Sequence, residues 1–431
     1  MTIQIRVSSD PLTNQYSKGY DYYFHIAITN NDSNTRIVTL EALRPNTDPD
    51  IEEWFPTQAP ILCSSNGKTW YLLPHVQTTE GHRDYRCPVT ILPGKTMQVA
   101  NNTPIIPEFV TTHLRSIAQE NPELIQYHEI GHSVQGLPIS LLEVNEYPQI
   151  ERDRFLIWTG IHPSEPDPLA AFWVIEWLMS NDPEAVRARD AYTFEVLPMI
   201  NPDGFHLGTS GCNANGVNIF WDFRRDDPIK CPESVALWRW IEARPPQVAL
   251  DIHAYIYQVN KRARPYIGSI RSYPPKFRRA AWSMQRAVVK QCRGEAMAGN
   301  IAEIDTSLAP HLVARYGTLV LPGYHLHLAD GPEMCRRLTI DTLAAVTAAT
   351  MRYQPLRIIT TSNRTKSIDL GGFIWHILEL LFDRLPRRIR KRFRPRPKAR
   401  PAIDTMPEWA EHRFDSQTAM PVATISPGQI S

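Results

Sequence analysis

The chain has 431 residues, 42% apolar and 21% charged, which are ordinary proportions for a globular protein. That length sets an expectation of two or three domains, each able to bury a substantial core. No stretch reaches the roughly 20 uninterrupted apolar residues of a membrane-spanning helix. The net charge of +1 hides an asymmetry: residues 384–401 carry ten Lys or Arg and no acid, which leaves 36 bases against 45 acids in the rest.

The opening Met1-Thr2-Ile3-Gln4-Ile5-Arg6 alternates polar and apolar residues and has no apolar signal core, so a cytoplasmic protein is expected. Six scattered cysteines without paired spacing suit free thiols in a reducing compartment. Residues 1–145 read as all-β. Tyr20–Thr29 is rich in aromatic and β-branched residues and runs into the turn cluster Asn30–Asn34. Ile37–Leu40, Thr69–Leu73 and Val89–Leu92 repeat the pattern at short spacing, which predicts an antiparallel β-sandwich.

From about residue 152 the texture changes to α/β, and a domain over 146–352 is expected. Arg154–Thr159 is a near-continuous apolar run ending at Gly160, as for a strand buried on both faces. Leu169–Met179 predicts a helix apolar nearly all round, Tyr192–Leu197 a strand, Ser234–Ala243 a helix and Gln247–Ile252 another strand. Strands alternating with helices imply a mostly parallel sheet. Beyond it, residues 353–385 are expected as an extension in which Ile374–Leu385 is an amphipathic apolar stretch; its Phe373–Phe382 run suits either a membrane-surface helix or a soluble C-terminal helix before a charged linker. Residues 386–431 are a Pro/Arg-rich basic linker and a disordered tail. The basic run 384–401 is a candidate contact for an acidic partner or an anionic membrane, and no sequence-specific nucleic-acid binding is expected of it.

Two motifs carry chemistry. His162-Pro163-Ser164-Glu165 follows the first α/β strand, and His253 lies 88 residues further on, in Asp251-Ile252-His253-Ala254-Tyr255. Two imidazoles and one carboxylate are the protein share of a catalytic zinc site, with water in the fourth position. Both motifs lie just beyond predicted strand C-termini, where open α/β sheets place their ligands. One zinc ion per chain, held by His162, Glu165 and His253, is therefore expected.

His162-Pro-Ser-Glu165, Pro198-Met-Ile-Asn-Pro-Asp-Gly204, Gly216-Val-Asn-Ile219 and Asp251-Ile-His253 resemble, in order, the motif series of the M14 zinc carboxypeptidases. The leading β-sandwich resembles that of the cytosolic carboxypeptidase branch. The resemblance covers residues 1 to about 350 and implies metal-assisted hydrolysis of a peptide-like amide, with a carboxylate general base. The substrate positions depart from the pattern. Phe220 and Trp221 stand where the family's Asn-Arg pair grips the substrate's terminal carboxylate, and an aromatic pair cannot make that bidentate contact. Arg224 and Arg225, or Arg262 and Arg264, are possible replacements from shifted positions. Tyr255 and Tyr324 complete the candidate substrate contacts. The position of the catalytic glutamate falls on His327, with Asp330 three residues on as the other candidate base. Two readings follow: a zinc amide hydrolase that does not take an ordinary free C-terminus, or an inactive zinc-binding relative that works as a binding or scaffold protein.

Overall fold

The computed structural model describes residues 2–6, 25–43, 61–66, 69–73, 77–78, 85–101, 104–148, 150–209, 211–223, 231–255, 264–267, 270–291, 297–298, 307–327, 332–352 and 414–415. The predicted helix at 374–385 and the basic segment 384–401 lie outside them.

The short alternating runs at the start of the chain form β1 (Thr2–Arg6), β2 (His25–Thr29), β3 (Arg36–Leu43), β4 (Leu62–Ser64), β5 (Thr69–Leu72), β6 (Gln77–Thr78), β7 (Tyr85–Ile91) and β8 (Thr96–Ala100). They pair as two sheets, β1-β3-β7-β6 and β5-β4-β8-β2, the latter with Phe414–Asp415 on its β5 edge. Period-two alternation sets the inner face: Val38 and Leu40 are buried while Ile37 is 64% exposed. Val38, Leu40, Cys87 and Val89 of one sheet share a core with Ile26 and Val99 of the other, so the expected sandwich is present. One pairing differs from expectation, because β1 runs parallel to β3.

The α/β part comprises α1 (Pro107–Glu120), β9 (Ile125–His132), β10 (Pro138–Val144), β11 (Asp153–Trp158), α2 (Pro168–Met179), α3 (Pro183–Ala191), β12 (Tyr192–Leu197), α4 (Pro202–Leu207), α5 (Pro232–Ala243), β13 (Val248–Tyr255), β14 (Arg264–Ile267), α6 (Arg278–Gln291), β15 (Met297–Ala298), α7 (Leu308–Tyr316), β16 (Leu319–His327) and α8 (Pro332–Met351). Its sheet has the order β15-β14-β16-β13-β11-β12-β10-β9. The four central strands β16, β13, β11 and β12 are mutually parallel, and antiparallel strands flank them.

The expected boundary at residue 145 is corrected here. α1 packs on β9 and β10, and those two strands form a hairpin paired to β12, so residues 107–144 belong with the α/β sheet. Strand propensity is satisfied equally by either sheet; only the hydrogen-bond partner decides, and local sequence does not encode it.

The central strands explain their composition. Phe155, Leu156, Ile157 and Trp158 of β11 are fully buried, as is every residue of β12 or nearly so. Burial of both faces also encloses charges. Arg154 joins Glu143 and Glu195, and Arg244 reaches Glu143 at 2.6 Å. Burial raises the Glu195 carboxyl above its usual range. Burial also opposes charge on Glu143, but the two arginines bring its carboxyl below that range.

Topology then sets the site. From β11 the chain crosses through α2 and α3 to β12 on one side, while β13 lies on the other side of β11 with β16 beyond it. Outgoing connections from β11 and β13 thus diverge, and the crevice above their C-terminal ends is the switch point where such sheets bind ligands.

Candidate metal centre

β11 ends at Gly160, whose φ is +67°. A Cβ there would lie 2.6 Å from the Pro198 carbonyl oxygen, so glycine is required for the close approach as well as for the left-handed backbone. The Gly160 amide donates to Asp167 Oδ2 at 3.0 Å, and its carbonyl accepts from the Asn201 amide at 3.0 Å. Between these anchors the Glu165 amide donates to the His162 carbonyl at 2.9 Å, a tight turn that sets the two side chains together. Pro163, Pro166 and Pro168 stiffen it, the last in the first turn of α2, where a proline costs no hydrogen bond.

The Pro198–Gly204 motif braces this turn. Asn201 caps α4 by accepting from the Gly204 amide and donates to the Ile161 carbonyl at 3.1 Å. A Cβ on Gly204 would meet Pro163 Cγ at 2.5 Å and the Cys212 carbonyl at 2.7 Å, so only glycine lets α4 pack against the His162 turn. Asp203 accepts from Ser133 Oγ at 2.5 Å and from the Gln135 amide at 2.9 Å, tying α4 to the β9–β10 hairpin.

His253 arrives on β13. The sequence placed it just past a strand end; β13 instead continues to Tyr255, because its last residues pair with β16, His253 beside His325 and Tyr255 beside His327. His162 Nδ1 lies 2.9 Å from Glu165 Oε1, and His253 Nδ1 lies 3.0 Å from Glu165 Oε2. The Ala254 amide donates to the same Oε2 at 3.0 Å and fixes the carboxylate. One ligand atom from each of these three buried residues falls within 4.8 Å of the others, the only such cluster among the described residues.

Electrostatics follow from this packing. Burial opposes the charge on Glu165, but His253 and His162 hold its carboxyl far below the usual range. Burial likewise opposes protonation of His253, and Asp251 and Glu165 override it, raising the imidazole well above its ordinary value. Burial pushes Asp167 the other way, well above the usual carboxylate range, with Glu165 adding to it. Two imidazole nitrogens aimed at one carboxylate, in a pocket too buried to leave negative charge uncompensated, form a donor set that fits zinc.

Aromatic residues border the cluster. Asn218 accepts from the Phe220 amide and caps the 3-10 turn Ile219–Trp221. That turn sets the Phe220 ring 5.7 Å from the His162 ring and 5.5 Å from the His253 ring, with Trp221 edge-on to it at 4.5 Å. Trp221 Nε1 is buried with no hydrogen-bond partner among the described residues.

The other predicted residues divide. Tyr324 is corrected: it is fully buried, its hydroxyl donates to the Leu338 carbonyl at 3.3 Å, and it joins β16 to α8 instead of meeting a substrate. Strand alternation is the reason, since Tyr324 shares its buried face with Leu326. Tyr255 and His327 are neighbours in the β13–β16 register, and their side chains lie outside the described residues. Arg224, Arg225, Arg262 and Asp330 also lie outside them, and Arg264 opens β14 opposite His325. Sequence reasoning gave no role to Asp251, whose Oδ1 is 3.1 Å from His253 Nε2. The i, i+2 spacing of Asp251 and His253 on a predicted strand was the available signal.

Residues 110–296 match the zinc carboxypeptidase model of peptidase family M14. Over this part the chain is similar to cytosolic carboxypeptidases. It is 26% identical to cytosolic carboxypeptidase 1 of Gallus gallus over 216 residues, covering 45% of this chain and 16% of that protein. It is 29% identical to cytosolic carboxypeptidase 6 of Mus musculus over 112 residues, covering 25% of this chain and 21% of that protein. Thus the matched region spans about a fifth or less of these relatives. A metallo-carboxypeptidase from Pseudomonas aeruginosa, solved in complex with (2-guanidinoethylmercapto)succinic acid, shares the fold with a TM-score of 0.64 at 18% identity, covering 82% of this chain and 94% of that one. The model matched over these residues is that of zinc carboxypeptidases, which are metallopeptidases. The homologues' names are cytosolic, and no helix among the described residues is long and apolar enough to cross a membrane.

Proposed function

We propose that the chain is a zinc-dependent hydrolase of peptide-like amides that holds one zinc through His162, Glu165 and His253 and does not select an ordinary free C-terminal carboxylate. The observation that carries this is Phe220 packed against both ligand imidazoles, with Trp221 edge-on to it. Zinc in such a set supplies a Lewis acid and a water acidic enough to attack an amide near neutral pH. Glu165, fixed by the Ala254 amide, orients both imidazoles. Phe220 excludes water from one side of the cluster and offers an apolar surface. Trp221 Nε1 is a neutral donor with no acceptor among the described residues, suited to a carbonyl oxygen and unsuited to balancing a carboxylate. Burying a terminal carboxylate against these rings costs several kcal/mol. His327, at the end of β16 beside Tyr255, is the proposed general base, with Asp330 as its alternative.

One observation favours a second reading. The register position proposed for the base carries an imidazole where the M14 pattern has a carboxylate, as expected of an inactive zinc-binding relative that serves as a scaffold. The basic run 384–401 would then matter most, as a contact for an acidic partner or an anionic membrane.

A set of peptides with free and amidated C-termini, assayed on zinc-loaded protein, separates the readings. Hydrolysis confined to amidated or internal bonds supports the hydrolase. Turnover of simple free C-terminal peptides at enzyme-typical rates, on the order of 10 per second, overturns the specificity proposed. No hydrolysis of any amide or ester with zinc bound supports the scaffold.

A further inference from the structure

The aromatic turn beside the metal cluster is held at both ends by the first residues of one helix. Downstream of it, Asp222 Oδ2 accepts from the Cys231 amide at 3.0 Å and from the Cys231 thiol at 2.9 Å, and Cys231 immediately precedes α5. Upstream, Glu233 in the first turn of α5 accepts from Asn213 Nδ2 at 3.0 Å through Oε2. Its Oε1 accepts from the Val134 amide of the β9–β10 hairpin at 3.2 Å. Glu233 and Asn213 are both buried. The geometry points to Glu233 as a positioning residue for specificity: through Asn213 it fixes residues 213–218, and so sets the Phe220 ring against the His162 and His253 rings and Trp221 against Phe220.

Every link in this path is a hydrogen bond. Asn213 Oδ1 accepts from the Asn215 amide at 3.1 Å and from the Val217 amide at 3.0 Å, and the Asn213 amide donates to the Val217 carbonyl at 2.9 Å. The oxygen of its carboxamide thus folds the segment, and the nitrogen hangs the segment on Glu233. The next residue, Asn218, pairs back to Cys212 and accepts from the Phe220 amide at 3.0 Å, which starts the aromatic turn. Asn213 cannot reverse its carboxamide without turning its NH2 toward two backbone donors. Glu233 likewise meets a donor at each oxygen, so a side chain that presents an N–H there sets donor against donor in a buried place.

The metal cluster has braces of its own. The His162 turn rests on Asn201 and Gly204, and Glu165 on the Ala254 amide. A change at Glu233 therefore moves the aromatic wall and leaves the three ligand residues in place.

This inference rests on the function proposed above, and its test separates the two. The zinc-loaded full chain and the variants Glu233→Gln, Asn213→Asp and the double variant are assayed on peptides with amidated and free C-termini, beside zinc content and thermal unfolding. Glu233→Gln should lower the preference for amidated over free ends about 10-fold with zinc content unchanged. Asn213→Asp, which faces one buried carboxylate with another, should lower it at least as far. The double variant restores each bond with its polarity reversed: the new aspartate accepts from the new glutamine, whose oxygen still accepts from the Val134 amide. Its preference should return to within about twofold of the parent. A 5-fluorotryptophan label reads the wall without turnover. The Trp221 resonance, identified by its loss in Trp221→Phe, should shift in both single variants and return in the double variant. An unshifted resonance in both single variants overturns the inference, as does a shifted resonance with the preference unchanged, or a double variant that restores neither. Loss of the fold in both single variants also overturns it, since Glu233 would then be a folding residue. If the parent hydrolyses neither kind of peptide, the proposed function fails, and the Trp221 resonance alone decides the positioning.

Discussion

The two halves of the site differ in kind. On the metal side the cluster is braced: Glu165 by the Ala254 amide and the His162 turn by Asn201 and Gly204. On the proposed substrate side, the sequence puts an aromatic pair where the M14 pattern has an amide and a guanidinium, and an imidazole where it has a carboxylate. A scaffold that keeps its ligands and their braces while exchanging its polar clamp for rings retains the means of holding a metal and alters what meets it. On the function proposed, metal binding and specificity are separable.

Breaking the metal side should have the largest effect. Glu165→Ala removes a ligand and the shared partner of both imidazoles, and zinc affinity should fall on the order of 10³-fold, one third of the roughly 10–16 kcal/mol of a full zinc site. Metal titration checks this, and unchanged affinity would place the ion elsewhere. On the substrate side, His327→Ala should lower amide hydrolysis by about 10²-fold or more while zinc content stays constant. Full activity in that variant and in Asp330→Ala would remove both candidate bases.

Smaller effects sharpen the contrast. The double change Phe220→Asn with Trp221→Arg should raise the preference for free over amidated C-termini about 10- to 100-fold, the worth of a charge-assisted contact of about 1.5–3 kcal/mol. Paired kcat/KM values read it directly, and no change in preference would remove these two residues from specificity. Gly204→Ala should lower stability by about 1–3 kcal/mol through overpacking against Pro163 and the Cys212 carbonyl, with a few-fold loss in zinc affinity. Denaturant titration with and without zinc tests it, and a stability equal to the parent would show that α4 does not brace the turn.

Much of this was legible in the sequence where chemistry is local. The His162–Glu165 pair sits in one turn, and the β11, α2, β12 and α5 segments follow from apolar runs and their lengths. What escaped was set by pairing partners. β9 and β10 lie in the stretch read as all-β, yet nothing local assigns them to the second sheet. Tyr324 sits one position from the face that pairs beside His253, and a period of two turns that single step into burial against α8. The bracing roles of Asn201 and Asp203 depend on contacts with residues 40 and 70 positions away.

The central claim is that His162, Glu165 and His253 hold one zinc ion. Its most direct test is zinc content per chain of the purified protein beside His162→Ala and His253→Ala, each shown to be folded. The expected result is about one equivalent in the parent and almost none in either variant. Zinc content unchanged in both variants would contradict the assignment.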